Sequence, residues 1–306
     1  MKRFIRSLLF LSIPLALTLV LGEWIVRQLP NTYKTKHTWM QQHASEVETL
    51  ILGSSHTYYG IQPQHLKGCA FNLANPSQNL RYDHFLLTQY ASLYQNLKTV
   101  ILPISYFSFF DKEYEEDKPF NYLACYYKLY MDCPYHSNLS TYAMELFYPS
   151  SYFGKLQAAL LGKAGRINCD SLGWGTNHLL SQKRSTWETI DASQTVCQHT
   201  ALDWTAETSN INHLHDIVSF CEERQIRLIL ITTPTWHSYY EKLDTNQLSR
   251  MYQIMHTFRS MHPSLIYIDF LKDARFQAND FYDSDHLSEY GAAKFTRILA
   301  DSIIHD

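Results

Sequence analysis

Short apolar runs alternate with longer segments of helical periodicity along most of this 306-residue chain. The runs have the length of buried strands, and the segments between them space their apolar side chains as an amphipathic helix does. Such alternation is typical of a parallel sheet covered by helices on both faces, so we predict an α/β fold. The predicted strands are 47–52, 70–73, 99–104, 227–232 and 265–269, and the predicted helices are 79–96, 207–225, 245–261 and 288–303.

The regular pattern stops after the third predicted strand and resumes at about residue 207. Between about 107 and 205 the sequence is aromatic and irregular. We therefore predict an insertion at 107–205 within one domain that runs from 46 to 306. A domain of this length is large enough to enclose a substantial core.

The N-terminal segment 7–26 is almost wholly apolar. Its 20 residues would extend about 30 Å as a helix, which is the hydrocarbon thickness of a bilayer. Lys2, Arg3 and Arg6 precede it, so the positive-inside rule favours a cytoplasmic N-terminus and an exported remainder. We predict a single-pass anchor at 1–28 and a polar stalk at 29–45. A cleaved signal peptide is the alternative, although the segment lacks a small-x-small cleavage pattern.

The charge balance gives no reason to expect nucleic acid as a partner, because 26 Lys and Arg face 29 Asp and Glu. Six cysteines would allow three disulfides in an exported protein. Their spacing selects no connectivity, and Cys125 with Cys133 and Cys169 with Cys197 are the pairs to test first. Buried free thiols are an equal alternative.

Polar clusters follow each of the five predicted strands. In a parallel α/β sheet, ligands bind beyond the carboxyl ends of the strands, so these clusters are expected along one edge. Their convergence favours a functional site. The clusters are Ser54-Ser55, Asn75-Pro76-Ser77, Ser105, Thr232-Thr233-Pro234 and the segment from Asp283 to His286.

Two of these clusters hold the residue types of a serine-based catalytic triad. Ser55 is the candidate nucleophile, and His286 is the candidate base that removes its proton. Asp283 would orient the imidazole, because a three-residue spacing in one turn brings both side chains to the same side. We expect the adjacent Asp285 to point elsewhere, and it is the alternative acid. His56 is the rival base, although neighbours in sequence rarely face each other.

Gly53-Ser54-Ser55 together with Asp283-x-x-His286 resembles the SGNH/GDSL hydrolase superfamily. The resemblance covers 46–306 and implies a flavodoxin-like three-layer α/β/α domain. It also implies the triad roles given above for Ser55, His286 and Asp283. The segment 72–77 occupies the place of the family's second block, where a backbone N–H helps to hold the oxyanion.

The chain departs from this family in three ways. Ser54 stands where the common motif has Asp, Ser77 stands where it has Gly, and no Gly-x-Asn-Asp follows the third strand. The oxyanion would then depend on the backbone N–H groups of Ser55 and Ser77, with Ser105 as a candidate side-chain donor. Losing one such donor typically costs about 10²–10³ in rate.

The resemblance implies a serine esterase or O-acyltransferase with its catalytic domain outside the cytoplasm, in the periplasm or extracellular space. Anchored members with Gly-Ser-Ser suggest acyl esters of envelope glycans, in particular acetyl esters, as substrates. Transfer would imply a multispanning membrane protein as the acyl donor. A catalytically silent protein of the same fold that binds glycans or acts as a scaffold is the alternative.

Five further residues are candidates for substrate contact because they lie at or near the strand ends: His56, Asn75, Thr233, Trp236 and His237. We expect no cofactor and no metal. His213-x-His215, Cys197-x-His199 and His237 have good zinc ligands, but their spacing is not that of a recognised zinc site.

Overall fold

A computed structural model describes residues 2–112, 121–134, 149–163, 165–183, 187–189 and 191–305. The chain divides into two compact units. The anchor unit comprises Met1–His37 and Tyr114–Ile167, and the sheet unit comprises Thr38–Glu113 and Asn168–Asp306. Five parts of the predicted insertion lie outside the described residues, namely 113–120, 135–148, 164, 184–186 and 190.

The sheet unit contains the predicted parallel sheet. Its five strands are β1 (Thr49–Ile51), β2 (Ala70–Asn72), β3 (Thr99–Pro103), β4 (Arg227–Thr232) and β5 (Ile266–Asp269). All neighbours pair in parallel, in the order β2-β1-β3-β4-β5. This is the strand order of flavodoxin-like folds, in which the order reverses beside β1. The predicted fold class is confirmed.

Helices flank this sheet. α4 (Leu80–Gln89) packs against α8 (Glu207–Glu223), and α11 (Glu289–His305) packs against α3 (Ser55–Gly60). Within the sheet unit the helices are α3 (Ser55–Gly60), α4 (Leu80–Gln89), α7 (Ser193–His199), α8 (Glu207–Glu223), α9 (His237–Tyr240), α10 (Thr245–Met261) and α11 (Glu289–His305).

The strands are apolar without alternation because both faces of the sheet are covered. Leu50 and Ile51 of β1, Ile101 of β3 and Ile229 of β4 have no exposed surface. The polar residues of these strands, Thr49, Thr99, Arg227 and Thr232, are the first or last residue of their strand. Polar groups therefore gather at the strand ends.

The anchor unit is built on α1 (Lys2–Gln28), with α5 (Asn121–Tyr130) and α6 (Pro149–Leu160). Phe10–Gln28 is long and apolar enough to cross a membrane, with a mean hydropathy of 1.6. α6 packs on α1 where Gly22 leaves room for the Tyr152 hydroxyl. Glu23 forms an ion pair with Arg27 one turn later, at 2.8 Å.

The segment predicted as a stalk is largely helical, as α2 (Thr32–His43). Asn31 explains where this helix starts, because its side chain accepts the N–H of Lys34 at 3.0 Å. The last part of the predicted insertion, 168–205, belongs to the sheet unit. Cys197 in this part is an exposed free thiol, so it is not paired with Cys169.

Candidate active site

The chain turns sharply between β1 and α3, and Gly53 makes that turn possible. Gly53 has φ +110°, and a Cβ at this position would come within 2.1 Å of the Pro103 side chain. α3 then begins at Ser55. The first-turn N–H groups of a helix have no partner within the helix, so they can bind a developing anion.

The segment 283–286 forms a tight turn before α11. The Asp283 Oδ1 atom accepts the backbone N–H of Asp285 at 3.1 Å and of His286 at 2.8 Å. The Tyr282 N–H donates to the His286 carbonyl oxygen at 2.9 Å. These bonds fix the carboxylate of Asp283 relative to the backbone of His286.

The two turns bring Ser55, His286 and Asp283 together. The Ser55 Oγ atom lies 2.8 Å from His286 Nε2. On the other side of the ring, His286 Nδ1 lies 3.0 and 3.1 Å from the two carboxylate oxygens of Asp283. A carboxylate at Nδ1 favours the tautomer in which Nε2 accepts a proton from serine. The arrangement can therefore support nucleophilic attack by the serine.

The carboxylates control the charge of His286. Burial disfavours the imidazolium, but Asp283 and Asp285 outweigh this effect and raise the pKa of His286 to about 9. The side chain is 17% exposed. At neutral pH the imidazolium form therefore predominates, and the form that can accept the serine proton increases as the pH rises.

Our expectation that Asp285 points away from His286 is wrong. Its Oδ2 atom lies 3.5 Å from His286 Nδ1, and its side chain is only 3% exposed. The expectation assumed helical geometry, whereas 283–286 is a turn closed by the Asp283 carboxylate. Two carboxylates thus face one imidazole.

The His56 side chain contacts Ser105 and Asp285. Its Nδ1 atom is hydrogen bonded to Ser105 Oγ at 2.8 Å, and its Nε2 atom lies 3.5 Å from Asp285 Oδ2. Both His56 and Ser105 are buried. The Ser105 hydroxyl is hydrogen bonded to His56. The other proposed oxyanion donors are the backbone N–H groups of Ser55 and Ser77.

Ser77 adopts φ +61°, in the region that favours glycine. A glycine at this position would therefore adopt the same backbone conformation without strain. The turn is joined to the nucleophile turn by the buried Asp83. Its Oδ1 atom accepts the Gly53 N–H at 2.7 Å and the Gln78 side-chain N–H at 2.6 Å.

The candidates for substrate contact lie in different surroundings. Asn75 is buried and donates to the Gln78 side chain at 3.1 Å. Thr233 is also buried, whereas Trp236 packs between aromatic rings and donates its backbone N–H to the Ser284 carbonyl oxygen at 2.9 Å. His237 is exposed and lies 3.7 Å from Glu241.

Sequence reasoning missed His178. Its ring stacks on that of His286, with centroids 5.0 Å apart and planes at 12°. Burial and the charge of His286 lower the pKa of His178 to about 3, so it is neutral at physiological pH. It follows a turn that packs on α3, where Trp174 Nε1 donates to the Tyr59 carbonyl oxygen at 2.7 Å. Nothing in the local sequence distinguishes this histidine.

A cavity of about 300 Å³ opens beside the acid of the triad. Trp187 and Tyr282 provide aromatic surface, while Thr195, Ser284 and Asp283 provide polar groups. The cavity is therefore suited to a ligand with both apolar and hydroxyl groups, such as a sugar.

Among the residues that the structure describes, three groups of histidine and aspartate have ligand atoms within 4.8 Å of one another. Two of them contain His286, whose nitrogens are hydrogen bonded to Ser55 and Asp283. The third comprises His84 on α4 with His213 and Asp216 on α8. Two imidazoles and a carboxylate are a donor set that a divalent cation such as zinc accepts.

Comparisons with known proteins add little to this geometry. No protein-family model matches the chain, and no curated protein matches it. Among solved structures, it is similar to one from Streptococcus pneumonia described as "a putative platelet activating factor". The identity is 13% and the TM-score 0.44, over 95% of this chain and 99% of the other. A likeness at this level carries no argument about fold or activity.

Proposed function

We propose that this chain is a membrane-anchored serine esterase or O-acyltransferase of the SGNH/GDSL type, acting on acetyl esters of envelope glycans. The observation that supports it best is the pair of contacts on His286, 2.8 Å to Ser55 Oγ and 3.0 Å to Asp283 Oδ1. Lys2, Arg3 and Arg6 before the apolar helix support a cytoplasmic N-terminus and an extracytoplasmic catalytic domain.

In the proposed reaction, Ser55 Oγ forms a bond to the ester carbonyl carbon while its proton moves to His286 Nε2. The backbone N–H groups of Ser55 and Ser77 stabilise the negative charge on the carbonyl oxygen. The bond from the carbonyl carbon to the alkoxy oxygen then breaks. The leaving alcohol takes the proton from His286, and an acyl group remains on Ser55.

The second half of the reaction releases the acyl group. His286 removes a proton from water or from a sugar hydroxyl, whose oxygen attacks the acyl carbon. The bond between this carbon and Ser55 Oγ breaks, and the serine regains a proton from His286. Water gives hydrolysis, whereas a sugar hydroxyl gives transfer. Product analysis with and without a glycan acceptor distinguishes the two outcomes.

A serine-directed fluorophosphonate tests the proposal. The detergent-solubilised full chain should be labelled on the peptide that contains Ser55, and Ser55→Ala should abolish labelling without unfolding the protein. Ser54→Ala is the matched control, because Ser54 is the neighbouring serine and is buried. Absence of labelling in folded protein would favour the alternative, a silent glycan-binding or scaffolding protein.

A further inference from the structure

We propose that Asp285 is a second carboxylate partner of His286, held in place by His56 and Ser105, and that it acts as a positioning residue beside Asp283. The inference rests on the proposed serine chemistry. It assigns a role to three buried polar residues that the triad itself does not use.

Asp285 is a buried carboxylate whose charge needs compensation. Its side chain is 3% exposed, and only Ser284 Oγ donates to it among the described residues, at 3.3 Å to Oδ1. Its Oδ2 atom lies 3.5 Å from both His56 Nε2 and His286 Nδ1. A buried carboxylate is costly unless a cation faces it. Among the described residues, His56 and His286 are the imidazoles within 4 Å of Asp285, and His199 acts on it from farther away.

His56 is fixed on the far side of Asp285. Its Nδ1 atom is hydrogen bonded to Ser105 Oγ, and its ring packs against Phe107 with centroids 5.3 Å apart. In the tautomer in which Nδ1 accepts from the Ser105 hydroxyl, Nε2 carries a hydrogen that faces Asp285 Oδ2 at 3.5 Å. His56 therefore orients Asp285 and competes with His286 for the same oxygen.

The consequence for the reaction is that the positive charge on His286 is shared between two carboxylates. When the Ser55 proton reaches Nε2, the Nδ1–H group faces Asp283 at 3.0 Å and Asp285 at 3.5 Å. Loss of Asp285 should lower the pKa of His286, because one of the two carboxylates that stabilise the imidazolium is then absent. The titratable groups around His286 are Asp283 and Asp285 on its own turn, His56 and Tyr59 on α3, His178, and His199 on α7.

The pH dependence of fluorophosphonate labelling tests this role in the full chain. The wild-type rate should rise with pH and level off above about pH 9, the pKa of His286. Asp285→Asn should move this rise to lower pH by about one to two units and lower the plateau. His56→Gln should move the rise in labelling rate to higher pH, because the Asp285 carboxylate then interacts with His286 and no longer with a second imidazole at position 56. Glu207→Gln is the control at a part-buried carboxylate that pairs with Arg250 and not with His286, and it should leave the midpoint unchanged.

A second readout does not need activity. NMR titration of the His286 ring should give a midpoint near 9 in the wild type and a lower midpoint in Asp285→Asn. An unchanged midpoint in this variant would overturn the inference, even where labelling is normal. If Asp285→Asn does not fold, the midpoint of His286 in His56→Gln is the test. An upward shift supports the inference, and an unchanged midpoint would overturn it. Absent labelling with a shifted midpoint would instead contradict only the proposed serine chemistry.

Discussion

Two buried carboxyl groups near Ser55 have pKa values shifted in opposite directions: Asp83, which contacts Gly53, and Asp285, which contacts His286. Asp83 is beneath the nucleophile turn and is surrounded by neutral donors, and burial raises its pKa to about 7. Asp285 is beneath the imidazole. Burial also acts to raise its pKa, but the positive charge of His286 and the facing His56 imidazole outweigh burial and hold it well below its usual range. The two side chains are almost equally buried, so the neighbours decide their charge.

The difference in ionisation between Asp83 and Asp285 matches what each side chain contacts. Asp83 accepts the Gly53 backbone N–H and the Gln78 side-chain N–H through one oxygen atom, and a carboxyl that is not fully ionised is sufficient for that task. Asp285 faces the group that gains positive charge in the reaction, where a carboxylate is needed. Changes that exchange or remove the neighbours should therefore affect the two sites differently.

Removing the imidazole should have the largest effect. In His286→Gln, Ser55 loses its base and Asp285 loses a cation, so its environment becomes more like that of Asp83. We expect fluorophosphonate labelling to fall by about 10⁴-fold. The rate of labelling at a fixed pH measures this, with His215→Gln as a control on an exposed histidine. Labelling within tenfold of the wild type would contradict the assignment of His286.

Asp83→Ala should have the next largest effect, and on structure first. It leaves the buried Gly53 N–H without its acceptor, which costs about 1–3 kcal/mol in the free energy of unfolding. The two turns that carry the oxyanion donors also lose their link, so labelling should fall by about 10²-fold. Asp83→Asn keeps an Oδ1 acceptor and should retain most of both properties. Equal losses in the two variants would show that charge, and not the acceptor, matters here.

The two sites should also respond differently to pH. The folded pKa of Asp83 is raised from 3.8 to about 7, so its contribution to stability is present below about pH 4 and lost as the pH rises to 7. The folded pKa of His286 is raised from 6.5 to about 9, so its contribution is present below about pH 6.5 and lost towards pH 9. Denaturant unfolding of wild type, Asp83→Asn and His286→Gln across pH 4–10 separates the two losses. Each variant should lack one of them.

Ser77→Gly should have the smallest effect. The backbone at this position already has the conformation that favours glycine, and the proposed oxyanion donor is the backbone N–H. We expect the labelling rate to stay within about threefold of the wild type, since the relief of left-handed strain and the added flexibility of glycine nearly cancel. A much larger decrease would indicate that the Ser77 side chain takes part.

The sequence was sufficient to predict the strands and the meeting of Ser55 with the turn at 283–286. Each strand is a local apolar run, and a parallel sheet gathers the ends of its strands at one edge. The burial of Asp83 could have been predicted from the sequence. This residue lies between Leu80 and Leu87 on the apolar face of its helix, where a charged residue is unusual. His178 and the contact between His56 and Ser105 had none, since they depend on how distant loops pack.

The prediction for Asp285 failed for a related reason. Residue spacing defines which side chains share a face only when the local structure is regular, and 283–286 is a turn closed by its own side chain. The helix that covers most of the predicted stalk shows the same limit, because it depends on a cap at Asn31 and not on an apolar periodicity.

Direct detection of an acylated serine tests the account most sharply. The full chain is incubated with p-nitrophenyl acetate, quenched in acid, digested and analysed by mass spectrometry. We predict an acetyl group on the peptide that contains Ser55, absent in Ser55→Ala and strongly reduced in His286→Gln. Folded wild-type protein without this adduct, or with it on another residue only, would contradict the assignment of Ser55 as the nucleophile.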